Sequence, residues 1–295
     1  MSSLLLNEIT GKISALKAFS EAAEGVLREL EGAAGLPIVP LLFSPRRYID
    51  PGAVDSIYTV LKEVDASRGL GVVLFSMGGD INEAYLLATL LQDTAGGRLV
   101  FYIPRYAKSA ATLLALSGDE VVMLPVAELG PVDPVIYDSK TERYIPLASI
   151  LEVLDVLSQK NFPGELAKAV LERIPVVELG DYKKAVEHNA ELCQRILARR
   201  MMRDNPGKAG EVASKLVSYK QHSAAITLRD LAEMGIKARA PEGREAELLG
   251  RLHQLWVENV IKYEEDTPFE ATELVEFKLG RGIVLTTALI DQTHQ

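Results

Sequence analysis

Residues Gly71–Pro134 read GVVLFSMGGDINEAYLLATLLQDTAGGRLVFYIPRYAKSAATLLALSGDEVVMLPVAELGPVDP. Leu70–Phe75 is continuously apolar and rich in valine, which suits a strand buried on both faces of a parallel sheet. The turn Met77-Gly78-Gly79-Asp80 follows it, then a helical period from about Asn82 to Asp93 that Gly96-Gly97 closes. Leu99–Ile103 predicts a second buried strand, Ser109–Leu116 a short apolar helix stopped at Gly118, and Glu120–Leu124 a third strand. Alternation of strand and helix predicts right-handed βαβ units around a largely parallel sheet, an α/β fold.

Upstream, residues 4–30 carry an apolar stripe at alternating three and four spacings, Leu6, Ile9, Ile13, Leu16, Ala23, Leu27 and Leu30. It fits a helix packed on its own domain or an arm that joins subunits. Ile38–Phe43 reads as a first strand, and Asp50-Pro51 opens a helix over Val54–Val64. Beyond Pro134, Val135–Tyr137 and Arg143–Ile145 flank a polar turn and predict a hairpin. Helical periodicity runs from Ala148 to about Met202, again over Gly210–Val217, after a threonine cap at Thr227, and from about Arg244 to Glu264. Glu273–Lys278 and Ile283–Leu289 around Gly280-Arg281-Gly282 predict a terminal hairpin. The expected organisation is a helical arm over 1–34, a main domain over 35–240, and a helix-plus-hairpin extension over 241–295.

With 295 residues, 48% hydrophobic and 25% charged, the chain can bury a full core. A net charge of −9 argues against a nucleic-acid partner, which needs clustered basic side chains. One cysteine, Cys193, makes no internal disulfide, so a cytoplasmic, reducing compartment is expected. Charges interrupt each apolar run, so no transmembrane segment is expected. HExxH, GxxxxGK[ST] and a strand-linked GxGxxG are all missing from the sequence, leaving no basis for a metal or a nucleotide cofactor.

Chemistry of the serine type needs a nucleophilic oxygen, a base, and backbone N–H groups aimed at the developing oxyanion. Ser109 stands where a strand hands over to a helix, so the helix start supplies free N–H groups, that of Ala110 among them. Gly78 and Gly79 permit the close backbone approach such a cradle demands. Taken singly, a Gly-Gly after a strand is common helix-entry geometry, and Ser109 is a good N-cap.

Order and spacing carry more. Ser76–Asp80, Ala107–Leu116, Asp119–Met123 and Leu129–Pro134, with a weaker second match at His222–Gly235, resemble the serine dehydrogenase proteinases. These belong to the Clp-protease/crotonase superfold and are related to signal peptide peptidase A. The resemblance covers roughly residues 36–240. It implies a spiral of ββα units that assembles into a homo-oligomer, a peptide or protein substrate, and no cofactor. It also implies Ser109 as nucleophile and the N–H groups of Gly79 and Ala110 as oxyanion hole.

The base departs from the family pattern. Clp-type peptidases keep a histidine near the position of Val132-Asp133-Pro134, where none stands, and signal peptide peptidase relatives use a lysine where this chain has Pro146–Ser149. Lys140 lies in a polar turn, where a solvated lysine is a poor base, and Lys108 adjoins Ser109 but points elsewhere. Among four histidines, His188, His253 and His294 have nothing to tie them to the core, whereas His222 lies in the second matching segment. His222 is therefore the expected base, with a helix-capping or turn-filling histidine as the plainer alternative. Asp133 or Asp119 would orient it, or serve in turns and caps. Two readings compete with a serine peptidase. One is a binding scaffold that has lost its base. The other is a crotonase-like acyl-thioester enzyme using Asp80 or Asp133.

Overall fold

In the computed structural model, a seven-stranded sheet runs from edge to edge through Thr272–Leu279, Gly282–Leu289, Ile38–Phe43, Gly69–Phe75, Arg98–Ile103, Glu120–Met123 and Ala238–Arg239. The structure describes residues 10–138, 143–146, 152, 155–156, 164–165, 168, 176–266 and 272–289. Two compact units are distinguished, one of residues 1–129 and 226–295, the other of residues 130–225.

The first unit holds the sheet. Strands β1 (Ile38–Phe43), β2 (Gly69–Phe75), β3 (Arg98–Ile103), β5 (Glu120–Met123) and β9 (Ala238–Arg239) run parallel. Every residue of β1 and β2 is buried, as the unbroken apolar runs require of strands covered on both faces. The sheet-covering helices are α1 (Thr10–Ala34), α2 (Pro51–Leu61), α3 (Ile81–Thr94) and α4 (Ala110–Ala115). Asp50 caps α2 by accepting from the Ala53 N–H at 2.8 Å, with Pro51 in the first turn where its missing N–H costs nothing. Asp80 caps α3 in the same way, accepting from Asn82 and Glu83.

Leu16, Phe19, Ala23, Val26, Leu27 and Leu30 of α1 are buried, so the described part of its stripe faces this unit. It packs on α8 (Gly243–Trp256). Phe19 meets Trp256 edge-on at 5.4 Å between ring centroids, and Trp256 lies 5.4 Å from Phe75 of β2. The long helix expected over 244–264 carries one irregular turn. A π-helical segment, Val257–Ile261, separates α8 from α9 (Lys262–Asp266).

The terminal hairpin is part of the main sheet. β10 (Thr272–Leu279) and β11 (Gly282–Leu289) pair antiparallel, and β11 lies parallel beside β1 with Leu42 opposite Val284. Two short pieces escape a periodicity reading, β4 (Tyr106–Ala107) and β6 (Glu128–Leu129), which pair parallel as a separate small sheet. Helix α7 (Leu228–Met234) carries the expected Thr227 cap as a full capping box with Asp230, and Gly235 ends it at φ 75°.

The second unit contains the hairpin β7 (Val135–Asp138) and β8 (Arg143–Pro146), with helices α5 (Val176–Arg199) and α6 (Pro206–Val217) packed on each other. The turn bearing Lys140 and the stretch Leu147–Ser149 lie outside the described residues, as does His294. No helix among the described residues is long and apolar enough to cross a membrane.

Trp256 is the only tryptophan of the chain and sits 2% exposed beneath Phe19. Phe19→Ala is expected to cost about 3–5 kcal/mol, as large-to-small changes in a packed core do. Denaturant unfolding measures the loss, and a red shift of the native tryptophan emission checks that Phe19 is what covers the indole.

Candidate active site

The site is built at the ends of β2 and β3, where the chain leaves the sheet twice. Leaving β2, Ser76 is fully buried and bonds the second exit segment on both sides: its N–H donates to the Tyr106 carbonyl and its carbonyl accepts from the Lys108 N–H, each at 3.0 Å. Its hydroxyl accepts from the Gly78 N–H at 3.1 Å, which tightens the turn.

Both glycines have stated reasons. Gly78 is at φ 111°, and a Cβ there would lie 2.9 Å from the Ser109 Cβ and from the Lys108 carbonyl oxygen. Gly79 is at φ 150°, and a Cβ there would lie 2.3 Å from the Ile49 carbonyl oxygen. The turn is therefore wedged between two neighbouring chain segments with no room for a side chain on either residue. On the Ile49 side the bonds run from the Ile49 N–H to the Gly78 carbonyl and from the Asp80 N–H to the Ile49 carbonyl, each at 2.9 Å. That pairing leaves the intervening Gly79 N–H pointing away from Ile49.

Ser109 has φ 51° and ψ −125°, the only positive φ on a non-glycine among the described residues. Such a conformation costs on the order of 1–3 kcal/mol and persists only where the surroundings enforce it. Here they are visible. The fully buried Thr112 donates its hydroxyl to the Ala107 carbonyl at 2.7 Å, the Ala111 N–H bonds the Lys108 carbonyl at 2.9 Å, and Gly78 packs against the serine Cβ. The expectation that Ser109 is an ordinary N-cap fails, since its side chain makes no capping hydrogen bond to α4. Its backbone has turned the hydroxyl off the capping position, and the side chain is half-buried. Ala110, the first residue of α4, has the orphan N–H of a helix start.

Lys108 points away, as expected: its ammonium lies 3.0 Å from Glu128 of β6. Asp119 accepts from the Leu99 N–H at 2.8 Å while its own N–H bonds the Leu99 carbonyl, a strand-end duty that answers against its orienting a base. Asp80 is spent as the α3 cap.

Sequence reasoning missed the support behind Ile49. The Arg47 guanidinium, its side chain 3% exposed, bonds both carboxylate oxygens of Asp50 and the Tyr48 carbonyl at 2.9 Å. Burial opposes the charge on Asp50, but hydrogen bonds from Arg47 and Ala53 outweigh it and hold the carboxyl below its usual range. The pair brackets Ile49 from both sides in sequence. An arginine three residues before the cap aspartate is a local signal, but nothing in the chain marks it as buried.

In the second unit, Asp133 and His222 are brought together across 89 positions: His222 Nδ1 lies 2.9 Å from Asp133 Oδ1. Asp133 is 3% exposed and fixed by its neighbour Val132, whose N–H bonds the Leu216 carbonyl and whose carbonyl accepts from the buried Asn189 amide at 2.8 Å. A carboxylate on Nδ1 makes that nitrogen the proton carrier and leaves Nε2 with its lone pair. The His222 side chain is 29% exposed, so the imidazole is reachable. His253 contrasts with it. Burial, with the charge of Arg105 nearby, lowers its pKa, and its Nδ1 is buried with no partner among the described residues. His188 lies on α5. Ser109, Gly78, Gly79 and Ala110 thus gather in the first unit, and Asp133 with His222 in the second.

A parallel α/β sheet whose strand ends carry a strained serine beside a helix start fits a ClpP-like serine proteinase fold, among other serine-bearing α/β folds. Comparison with known families agrees, because the model of the ClpP-like SDH-type serine proteinases matches residues 38–259, and the chain belongs to that family. It is a serine-type peptidase by that membership. The uncharacterized protein MJ1495 of Methanocaldococcus jannaschii is 27% identical over 224 residues, 72% of this chain and 69% of that protein. Among solved structures, a 1510-N membrane-bound stomatin-specific protease in complex with a substrate peptide is 14% identical, with a TM-score of 0.45, covering 70% of this chain and 74% of that one. ClpP1 from Listeria monocytogenes is 12% identical, with a TM-score of 0.39, covering 70% and 92%.

Gly79→Ala is expected to open the Ile49 contact, because its Cβ has no space and its φ favours glycine. Hydrogen exchange at the Ile49 and Asp80 amides should accelerate at least tenfold while amides of β3 stay protected. Unchanged exchange would show that the turn does not depend on that contact.

Proposed function

We propose that this protein hydrolyses peptide bonds in a peptide or protein substrate, as a homo-oligomer, with Ser109 as nucleophile and His222 as general base. The observation that carries the reading is the Ser109 backbone. A serine held at φ 51°, with its side chain withheld from the helix it begins, stores strain that capping would not need.

In this reading the Ser109 Oγ attacks the scissile carbonyl carbon as His222 Nε2 takes its proton. The N–H groups of Gly79 and Ala110 receive the oxyanion of the tetrahedral intermediate. Collapse breaks the C–N bond, the imidazolium returns the proton to the leaving amine, and an acyl-enzyme remains on Ser109. Water then repeats the sequence: it loses a proton to His222, attacks the ester, and releases the acid as Oγ recovers its proton. Asp133 fixes the imidazole tautomer and faces the imidazolium when it forms. Support for that role is its burial and its 2.9 Å contact to Nδ1.

A fluorophosphonate probe is expected to label wild-type protein at Ser109 and to leave Ser109→Ala unlabelled. His222→Ala and Asp133→Asn should keep the fold by circular dichroism and slow both labelling and peptide hydrolysis by on the order of 10³-fold or more, the scale of losing a base or its tautomer control. Labelling of another serine, or undiminished hydrolysis by Ser109→Ala, overturns the assignment of the nucleophile. Undiminished rates in His222→Ala overturn the base alone. Wild-type protein with neither labelling nor hydrolysis would speak for a binding scaffold.

A further inference from the structure

The sheet ends on β10 at one side and on the two-residue β9 at the other. β10 is a long, regular edge that carries charged residues but neither a bulge nor a proline. It pairs with β11 without a bulge from Thr272 opposite Leu289 to Leu279 opposite Gly282, and its sequence TELVEFKL contains no proline. The hairpin turn has two residues, with Gly280 at φ 54°, so Leu279 and Gly282 form the closely bonded pair next to it. Counting back, Phe277 and Val275 also spend their N–H and C=O groups on β11. Leu274, Glu276 and Lys278 direct theirs outward, where no described residue meets them.

The side chains match this open edge. Leu274 is 60% exposed, and Val275 and Phe277 on the opposite face are only half-buried. Glu276 and Lys278 lie with Leu274, held upright by contacts within the chain: Ser56 donates to Glu276 at 2.6 Å, and Lys278 bonds Glu63. Two identical strands pairing antiparallel share a two-fold axis perpendicular to the sheet, and the residue on that axis fixes every other pair. An axis at Glu276 sets glutamate against glutamate, and one at Lys278 sets lysine against lysine, both unfavourable. An axis at Val275 sets Leu274 against Glu276 and makes no charge pair. An axis at Phe277 sets Glu276 opposite the partner's Lys278, twice by symmetry, and Val275 opposite the partner's Leu279.

We propose that β10 is a self-pairing edge: two copies of this chain join antiparallel about a two-fold axis at Phe277, and the sheet runs on through both. The outward N–H and C=O of Glu276 and Lys278 then bond those of the second copy. Phe277, whose own backbone groups go to β11, faces the partner's Phe277 in the closer, unbonded type of pair. The interface deepens the homo-oligomer part of the proposed function and does not depend on the assignment of Ser109 or His222.

Light scattering on the full chain tests it. Glu276→Pro removes an outward N–H and sets a ring at the edge while leaving every bond to β11 in place, so the wild-type mass should fall at least by half with cooperative unfolding retained. Phe277→Cys should give a covalent dimer on mild oxidation, since directly opposed unbonded residues have the Cβ separation a disulfide accepts. Val275→Cys, off the axis, should not. Cys193 does not compete, because it is buried and its thiol is pushed up to about 12. A monomeric wild type, an unchanged mass in folded Glu276→Pro, or cross-linking of Val275→Cys in place of Phe277→Cys overturns the proposal. Should Glu276→Pro fail to fold, the two cysteine variants decide alone.

Discussion

The structure around Ser109 depends on one close approach: the turn Gly78-Gly79 is inserted between Ile49 on one side and the Lys108–Ala110 segment on the other. Neither glycine tolerates a Cβ, and each excludes it for a different neighbour. Backbone meets backbone here, and that is what lets an exit loop of β2 and an exit loop of β3 become one rigid body. Without it, the positive φ of Ser109 would relax toward an ordinary N-cap, because an isolated serine gains a capping bond and loses strain by doing so.

Rigidity at that point is supplied from far along the chain. Ile49 is flanked by the Arg47–Asp50 pair, and Arg47 lies four residues past the end of β1. β1 in turn lies between β2 and β11, with Ser44 continuing the ladder by bonding the Leu285 carbonyl at 2.8 Å. The C-terminal hairpin therefore supports the exit of β1, and through it the turn. A buried guanidinium with two carboxylates within reach is costly to assemble and costlier to break, since a lone partner would keep its charge without compensation.

Strands β1, β2, β3 and β5 were legible because each is a short, largely apolar run with turn or cap residues near its ends, and these signals are local. The helix starts at Asp50, Asp80 and Thr227 were legible for the same reason, as polar side chains within three residues of the N–H groups they bond. Gly79, Ser109 and Ala110 could be named from the order of the motifs, but the strain at Ser109 and the clamp on Gly79 could not. Both arise from Ile49 and Thr112, whose contacts follow from the fold. Two-residue strands such as β4 and β9 carry too few side chains to show a period. The pairing of β11 with β1 was hidden for a different reason: the hairpin pattern is local, whereas its place in the sheet is a long-range choice that composition does not record. Asp133 and His222 make the same point, being individually plausible in many roles and paired only by packing of the second unit.

The clamp also gives the outer edge of the sheet a physical bearing on the site. Glu276 of β10 approaches the Arg47 guanidinium at 3.9 Å, while Arg47 is already bonded to Asp50. Arg47 thus has a carboxylate of the edge strand and one of the segment flanking Ile49 within reach. Arg47 is the buried member, and of the two carboxylates near it Glu276 stands at the sheet edge with its side chain 40% exposed. Asp50 both caps α2 and follows Ile49, the residue on which Gly78 and Gly79 rest. The edge strand and the serine turn are thus joined through charge at close range, by residues that share no sequence neighbourhood.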